Sequence, residues 1–101
     1  MKEFIVRVND EGKRDLRSSY LWGVENWKQD QAKQWLAEIE NKVFSRLSVI
    51  PLAFPIAPES KEYGIEIRQL KFRRYRILFT VKGMTVVVLR LRGPFNGKTK
   101  L

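Results

Sequence analysis

The sequence predicts an α+β domain in which a helical hairpin packs on one face of a curved, mostly antiparallel sheet. Three observations lead to this fold. A short segment with alternating apolar residues, 2–8, opens the chain. Apolar residues then recur at helical spacing over residues 11–50, and at strand spacing over residues 64–92. The order strand, helix, helix and three strands is typical of a two-layer domain with a single core.

The first elements are a strand and a helix. The strand is predicted at residues 2–8, where apolar and polar side chains partly alternate. Asn9 and Asp10 can cap the helix that follows, at about residues 11–27. The apolar stripe of this helix consists of Leu16, Tyr20, Val24 and Trp27.

A second helix is predicted from a cap at Asp30 to about Ile50. It shows the strongest periodicity in the chain, with a stripe formed by Ala32, Trp35, Leu36, Ile39, Val43, Leu47 and Ile50. The stretch WKQD separates the two helices, which indicates an antiparallel hairpin. After it, three prolines end the helix and predict an extended connection: Pro51, Pro55 and Pro58.

The C-terminal part predicts a meander of three strands, at residues 64–72, 74–81 and 84–92. Arg73 and Arg74 form a basic corner between the first two strands. Lys82 and Gly83 form a tight turn before the third. Because the helices need an apolar surface to cover, we expect them on one face of this sheet.

The composition sets limits on the class of protein. The chain has 101 residues, which predicts one domain over 1–101 with a flexible tail at 93–101. It contains no cysteine and no histidine, so we expect no metal site and no cofactor. We expect a cytoplasmic protein without a membrane partner, since no segment is typical of a signal peptide or a membrane span.

The net charge of +9 lies entirely in the last part of the chain. Residues 1–60 hold nine basic and nine acidic side chains, whereas residues 61–101 hold eleven basic and two acidic ones. This segregation favours a polyanionic partner, either nucleic acid or an acidic protein segment. The alternative is a basic face that has no such partner.

Strand alternation predicts where this charge lies. Four arginines are expected on the open face of the sheet, framed by three further cations: Arg68, Arg76, Arg90 and Arg92, with Lys71, Arg73 and Arg74. Arginine is suited to bidentate contact with phosphate or carboxylate. The alternative is a set of solvated ion pairs worth less than about 1 kcal/mol each, but most of these arginines are expected to lack a local partner.

Six short motifs resemble the RelE/ParE superfamily of toxins from type II toxin–antitoxin modules. They are A-x-x-W-L-x-x-I at 32–39, L-x-x-x-P at 47–51, FPIAPES at 54–60, EIRQL at 66–70, YRILFTV at 75–81 and VVVLRLR at 86–92. The resemblance covers about residues 4–92, and the likeness is greater to the ParE-like branch. It implies the same fold, a helical hairpin against a curved antiparallel sheet.

The resemblance also implies a function and partners. RelE-like toxins cleave mRNA on the ribosome without a metal, and ParE-like toxins poison DNA gyrase. Both are neutralised by an antitoxin whose C-terminal segment wraps the toxin, and we expect that segment to be acidic here. The oligomeric state stays open between a monomer, a homodimer and a complex with the antitoxin.

If the protein is a nuclease, the resemblance assigns phosphate contacts to Arg76, Arg68 and Arg92. The acid and base are harder to find, since Gly93 stands where many relatives carry histidine. The remaining candidates are Tyr75, Tyr63, a lysine and, weakly, Glu66, which an ion pair suits better. Tyr75 is expected in the core, because it alternates with other apolar residues.

Three hypotheses follow: a gyrase poison, a ribosome-dependent mRNA endonuclease, and an inactive homologue that still binds an antitoxin. The target-binding cations would be Lys71, Arg73, Arg74 and Arg90. Trp22 lies off the stripe of the first helix, so it is either a partly covered surface aromatic or a contact for the antitoxin or a second copy. Trp27 and Trp35 are expected in the core.

Overall fold

The computed structural model describes residues 3–93 and confirms the α+β architecture. The helices are α1 (Asp10–Asn26), α2 (Gln29–Glu38), a π-helical segment (Ile39–Phe44), α3 (Ser45–Val49), a 3-10 turn (Pro51–Ala53) and α4 (Ser60–Tyr63). The strands are β1 (Ile5–Val8), β2 (Arg68–Phe72), β3 (Tyr75–Lys82) and β4 (Thr85–Arg92). Apart from Gly93, the tail expected to be flexible lies outside the described residues, as does the first residue of the predicted N-terminal strand.

The four strands form one curved, open sheet in the order β1-β4-β3-β2. The last three strands are the predicted antiparallel meander, and β1 joins it by pairing parallel to β4. α1 contacts both α2 and β4, so the helical hairpin covers one face of the sheet. The main core lies between these layers and contains Trp35, Ile39, Val43, Leu47, Leu70, Tyr75, Ile77, Phe79, Val86, Val88 and Leu91.

Local chemistry explains where the helices begin. The Asn9 side chain accepts a hydrogen bond from the Gly12 amide at 2.8 Å, as expected for a cap of α1. The cap predicted at Asp30 is wrong, because α2 begins at Gln29, with Lys28 in the capping position. Asp30 instead lies in the first helical turn, where its charge complements the helix dipole.

The second helix contains an unpredicted π-helical segment, Ile39–Phe44. The buried residues Ile39 and Val43 of this segment and Leu47 of α3 are spaced four apart, and on a regular α-helix each such step drifts about 40° around the axis. The wider π turn reduces this drift and keeps all three side chains against the sheet. The predicted stripe is wrong at its end, since the helix stops at Val49 and Ile50 is 45% exposed.

The proline-rich connection is more ordered than predicted. Instead of a fully extended segment, it forms the 3-10 turn and the short helix α4, which ends at Gly64 in a left-handed conformation. The Ala57 amide donates to the Ile67 carbonyl, and the Gln69 amide donates to the Pro55 carbonyl. These bonds fasten the connection to the chain that leads into β2.

A β-bulge changes the predicted faces of β4. The register between β3 and β4 shifts after Leu78, so Leu89 is the extra residue in β4. Leu91 therefore packs in the main core with Val86 and Val88, whereas the strict alternation of the sequence placed it on the opposite face. Leu89 packs on the outer face of the sheet, in a second small cluster with Ala57, Ile67 and Leu78.

None of the helices within residues 3–93 is both long enough and apolar enough to span a membrane.

Candidate functional site

The outer face of the sheet carries a row of cations across three strands. Lys71 of β2 lies opposite Arg76 of β3, and Arg76 lies opposite Arg92 of β4. Opposed residues in a sheet project from the same face. Three of the predicted cations are thus brought together as the sequence indicated.

Arg76 is the most fully engaged of the three. Its Nη1 and Nη2 atoms donate to the two carboxylate oxygens of Glu59 at 2.9 and 2.7 Å. Its Nε and Nη2 also donate to Gln69 Oε1, at 2.9 and 2.6 Å. All three nitrogens of the guanidinium group are therefore bonded inside the fold, in the bidentate geometry that is among the strongest for arginine.

The carboxylate of Glu59 lies between two arginines. Arg92 Nε is 3.9 Å from Glu59 Oε2, and the Glu59 side chain is only 12% exposed. The hydrogen bonds from Arg76 hold the pKa of Glu59 below its ordinary value, although burial acts in the opposite direction. The same contact raises the pKa of Arg76. Both groups stay charged at neutral pH.

Arg90 is also paired, along the edge of β4 that faces away from β3. Its Nε donates to Asp15 Oδ2 at 2.8 Å, and its Nη2 donates to Asp15 Oδ1 at 3.3 Å. The buried Asp15 carboxylate accepts the Leu91 amide as well, at 2.9 Å. The bond to Asp15 raises the pKa of Arg90. Because β1 ends opposite Val88, Asp15 takes over the role of a strand neighbour beyond that point.

Arg68 does not lie on the outer face, and that prediction is wrong. It lies opposite Phe79, a residue of the main core, so its side chain projects from the helix-covered side at the sheet edge. There it donates to the Phe54 carbonyl at 2.7 Å and to the Leu52 carbonyl at 3.3 Å. It also pairs with Glu66 at 3.1 Å, which is the ion-pair role expected for Glu66.

The basic corner between β2 and β3 stays exposed. Arg73 adopts a positive φ of 56° at the turn and pairs with Glu38 of α2. Together with Arg74 it borders a groove of about 490 Å³ between α2 and the β2–β3 turn. Three aromatic rings line this groove, together with polar side chains of α2: Trp27, Trp35 and Tyr75, with Gln31, Gln34 and Glu38.

The expectation that most of these arginines lack a local partner is wrong. Arg73, Arg76 and Arg90 each pair with a carboxylate from the neutral first part of the chain. Sequence reasoning missed Glu59 altogether, although it is the one acidic residue within the motif FPIAPES. Counting charges in two separate segments hid the pairing, because folding joins those segments.

Tyr75 and Gly93, the two positions considered above for proton transfer, pack against each other. Tyr75 is 2% exposed, which confirms its place in the core, and burial raises the pKa of its hydroxyl. A Cβ atom added to Gly93 would overlap the Tyr75 ring. A side chain at position 93 therefore requires the core to move, so glycine suits the packing at this position.

The tryptophans follow their expectations in part. Trp35 is 5% exposed and belongs to the main core, and Trp27 packs against that core while partly exposed. Trp22 is partly buried, and its ring meets that of Trp27 edge to face, with the ring centroids 5.4 Å apart. The ring is partly covered within the chain, and its contact with an antitoxin or a second copy stays a prediction.

The fold is similar to two solved toxin–antitoxin structures. A chain of the chromosomal ParDE system from P. aeruginosa superposes with a TM-score of 0.72 at 21% identity, covering 89% of this chain and 95% of that one. A chain of the RelBE2 toxin–antitoxin complex from Mycobacterium tuberculosis gives a TM-score of 0.65 at 24% identity, covering 92% and 93%. At such identities the likeness concerns the fold.

The sequence itself identifies the family. No curated protein matches it significantly. The family model described as the ParE toxin of the type II toxin–antitoxin system parDE, however, matches residues 6–93, nearly the whole chain. The protein therefore belongs to the ParE toxin family of type II toxin–antitoxin systems.

Proposed function

We propose that this toxin acts on DNA gyrase, as a protein-binding inhibitor, and not as an mRNA endonuclease. The observation that carries the proposal is the state of the arginines that RNA cleavage would use. Arg76 is bonded to Glu59 and Gln69, and Arg68 is bonded to backbone carbonyls and Glu66. An RNA phosphate would have to break these bonds before it could use either cation.

The proton-transfer groups support the same proposal. Cleavage of RNA without a metal needs a base for the 2′-hydroxyl and an acid for the leaving oxygen. Tyr75 is buried with a raised pKa, and Glu66 is exposed and bound to Arg68. Neither side chain is placed to exchange protons with a substrate on the outer face. Inhibition by binding requires no such group.

The exposed cations at the β2–β3 corner are then the target- or antitoxin-binding residues. Lys71, Arg73 and Arg74 are exposed, whereas Arg90 is held by Asp15. We propose that they contact acidic surface, on gyrase or on a neutralising antitoxin segment, because clustered arginines are suited to carboxylates. The aromatic groove beside them offers apolar area to such a segment.

A charge-reversal experiment tests this surface. Lys71→Glu combined with Arg74→Glu is expected to weaken inhibition of gyrase supercoiling at least about tenfold, because the new carboxylates would face the acidic surface of the target and repel it. Lys13→Glu combined with Lys33→Glu makes the same change in net charge on exposed helix positions and is expected to leave inhibition within about twofold of the unmodified protein. Equal effects of the two double variants would contradict the assignment.

A further inference from the structure

The bond network around Glu59 has the form of an occupied anion site. Both carboxylate oxygens accept hydrogen bonds from Arg76, and Arg92 approaches one of them to 3.9 Å. The row is extended by Lys71, which lies opposite Arg76. Arginine pairs bind phosphate oxygens in the same bidentate manner as carboxylate oxygens. A phosphodiester placed at the Glu59 carboxylate would therefore meet the same arginine donors.

The fold itself delivers Glu59 to this position. Ser60, the next residue, donates from its hydroxyl to the Ile67 carbonyl at 3.0 Å and accepts the Ile67 amide at 2.8 Å. On the other side, Ala57 is buried in the outer cluster with Leu78. Anchors on both sides of Glu59 limit its motion, so the ion pair costs less side-chain entropy than a typical surface pair.

Arg92 retains donor capacity beyond Glu59. Arg92 Nε is buried and has no hydrogen-bond partner within residues 3–93, and the Arg92 side chain is 41% exposed. A second oxygen placed near it could accept this hydrogen bond. The Glu59 carboxylate thus leaves one arginine donor of the site unsatisfied, and a phosphate offers more acceptor oxygens than a carboxylate does.

We infer that Glu59 is a specificity-determining residue, whose carboxylate fills a phosphate-binding site on Arg76 and Arg92 and so excludes nucleic acid from the outer sheet face. The inference rests on the proposed function, since it explains why a toxin directed at a protein can keep a row of arginines without binding RNA. Because Glu59 is part of the chain, it competes at a high effective concentration with any free anion.

The test replaces Glu59 and measures RNA binding. The probe is a short fluorescein-labelled single-stranded RNA of mixed sequence, followed by fluorescence anisotropy at about 0.15 M salt, where distant charges are screened. Glu59→Gln removes the charge but keeps the shape, and it is expected to tighten RNA binding at least about tenfold. Glu62→Gln, at an exposed position in helix α4 directly after Glu59, removes an equal charge and is expected to change binding by less than about twofold.

A reversal variant locates the effect. Adding Arg76→Met to Glu59→Gln is expected to return the affinity to that of the unmodified protein. Equal tightening by Glu59→Gln and Glu62→Gln, or tightening that survives Arg76→Met, would overturn the inference. If Glu59→Gln does not fold by circular dichroism, Glu59→Ala serves in its place, and a folded Glu59→Ala without increased affinity would also overturn it.

The same experiment separates this inference from the proposed function. Gyrase inhibition by the unmodified protein is measured on supercoiling, without RNA. If the unmodified protein does not inhibit gyrase but Glu59→Gln binds RNA more tightly, the proposed target is wrong and the inference about Glu59 stands. If the unmodified protein inhibits gyrase but Glu59→Gln binds RNA no more tightly, the proposed target stands and the inference about Glu59 is wrong.

Discussion

The Glu59–Arg76 pair makes the stability of the toxin depend on pH. The folded state lowers the pKa of Glu59 below its ordinary value of 4.5 through the bonds from Arg76. The unfolded chain consequently binds a proton at higher pH than the folded protein does. Stabilisation by this residue is therefore complete above about pH 4.5 and is lost as pH falls through the lower, folded pKa.

Glu59→Gln is expected to lower the free energy of unfolding by about 1–3 kcal/mol at pH 7, since it removes a hydrogen-bonded, largely buried charge. The difference from the unmodified protein should shrink as pH falls from about 4.5 towards 3. Urea unfolding at a series of pH values measures it, with Glu62→Gln as the control. A difference that stays constant down to about pH 3 would show that ionisation of Glu59 is not its cause.

The Gly93 position is tested by a double-mutant cycle. Gly93→Ala is expected to cost about 1–3 kcal/mol of stability, because the new methyl group overlaps the Tyr75 ring. In a Tyr75→Leu background the same change should cost less than half as much, since the ring is gone. Urea unfolding of the four proteins gives the coupling energy, and additive losses would show that the ring is not the cause.

Single residues show both the success and the failure of sequence reasoning. Alternation placed Tyr75 in the core correctly, because its neighbours two positions along are apolar. Glu59 escaped notice because its partner Arg76 is 17 residues further along the chain, in another element. A charge pair between elements leaves no periodic signal, so only the folded chain brings it together.

Among the elements, β4 depends most on a contact from outside the sheet. Asp15 of α1 accepts both the Leu91 amide and the Arg90 guanidinium where β1 no longer covers β4. Asp15→Asn is expected to destabilise the protein by about 1.5–3 kcal/mol, because an amide can satisfy only part of these donors. Glu11→Gln, an exposed change one turn earlier on α1, should cost less than about 0.5 kcal/mol.

Chemical denaturation of the two variants makes this comparison. Similar losses for Asp15→Asn and Glu11→Gln would show that the charge near the start of α1, and not the edge of β4, is what matters.

The π-helical segment makes a prediction about deletions. Removing the exposed Asn41 would leave Ile39, Val43 and Leu47 three and four residues apart, which a regular α-helix places on one face. We expect stability to change by less than about 1 kcal/mol. Removing the exposed Gln34 instead leaves Ala32 and Trp35 two residues apart, on different sides of the helix, and should unfold the protein. Thermal unfolding of the two deletion variants, followed by circular dichroism, makes the comparison. An unfolded Asn41 deletion would show that the π turn does more than align these buried residues on one face.

The elements were predictable where the pattern is long. The helical hairpin and the meander follow from periodicities sustained over many residues. The bulge at Leu89 was not predictable, since one extra residue in a strand changes the alternation without interrupting the apolar run VVVL. The short helix α4 was missed for a different reason: the three prolines before it predicted an extended connection.

At the scale of the whole molecule, acidic and basic side chains that are separated along the sequence come together in the fold. Carboxylates of α1 and of the connection pair with Arg90 and Arg76 of the strands, and Glu38 of α2 pairs with Arg73 at the β2–β3 corner, so folding brings carboxylates of the neutral first part of the chain onto the basic second part. The internal bonding of Arg76 and Arg68 is the observation that supports the proposed protein target over RNA. The sequence alone could not choose between these targets, because it does not show which cations are already engaged.

The most direct test of this choice uses purified gyrase and relaxed plasmid with ATP. The toxin is titrated against supercoiling, and the same preparation is added to a translation extract in which mRNA cleavage is mapped by primer extension. We predict that supercoiling is inhibited and that the translated mRNA stays uncut. Full supercoiling at every toxin concentration, together with new cuts in the mRNA, would contradict the proposed target and assign the toxin to the ribosome.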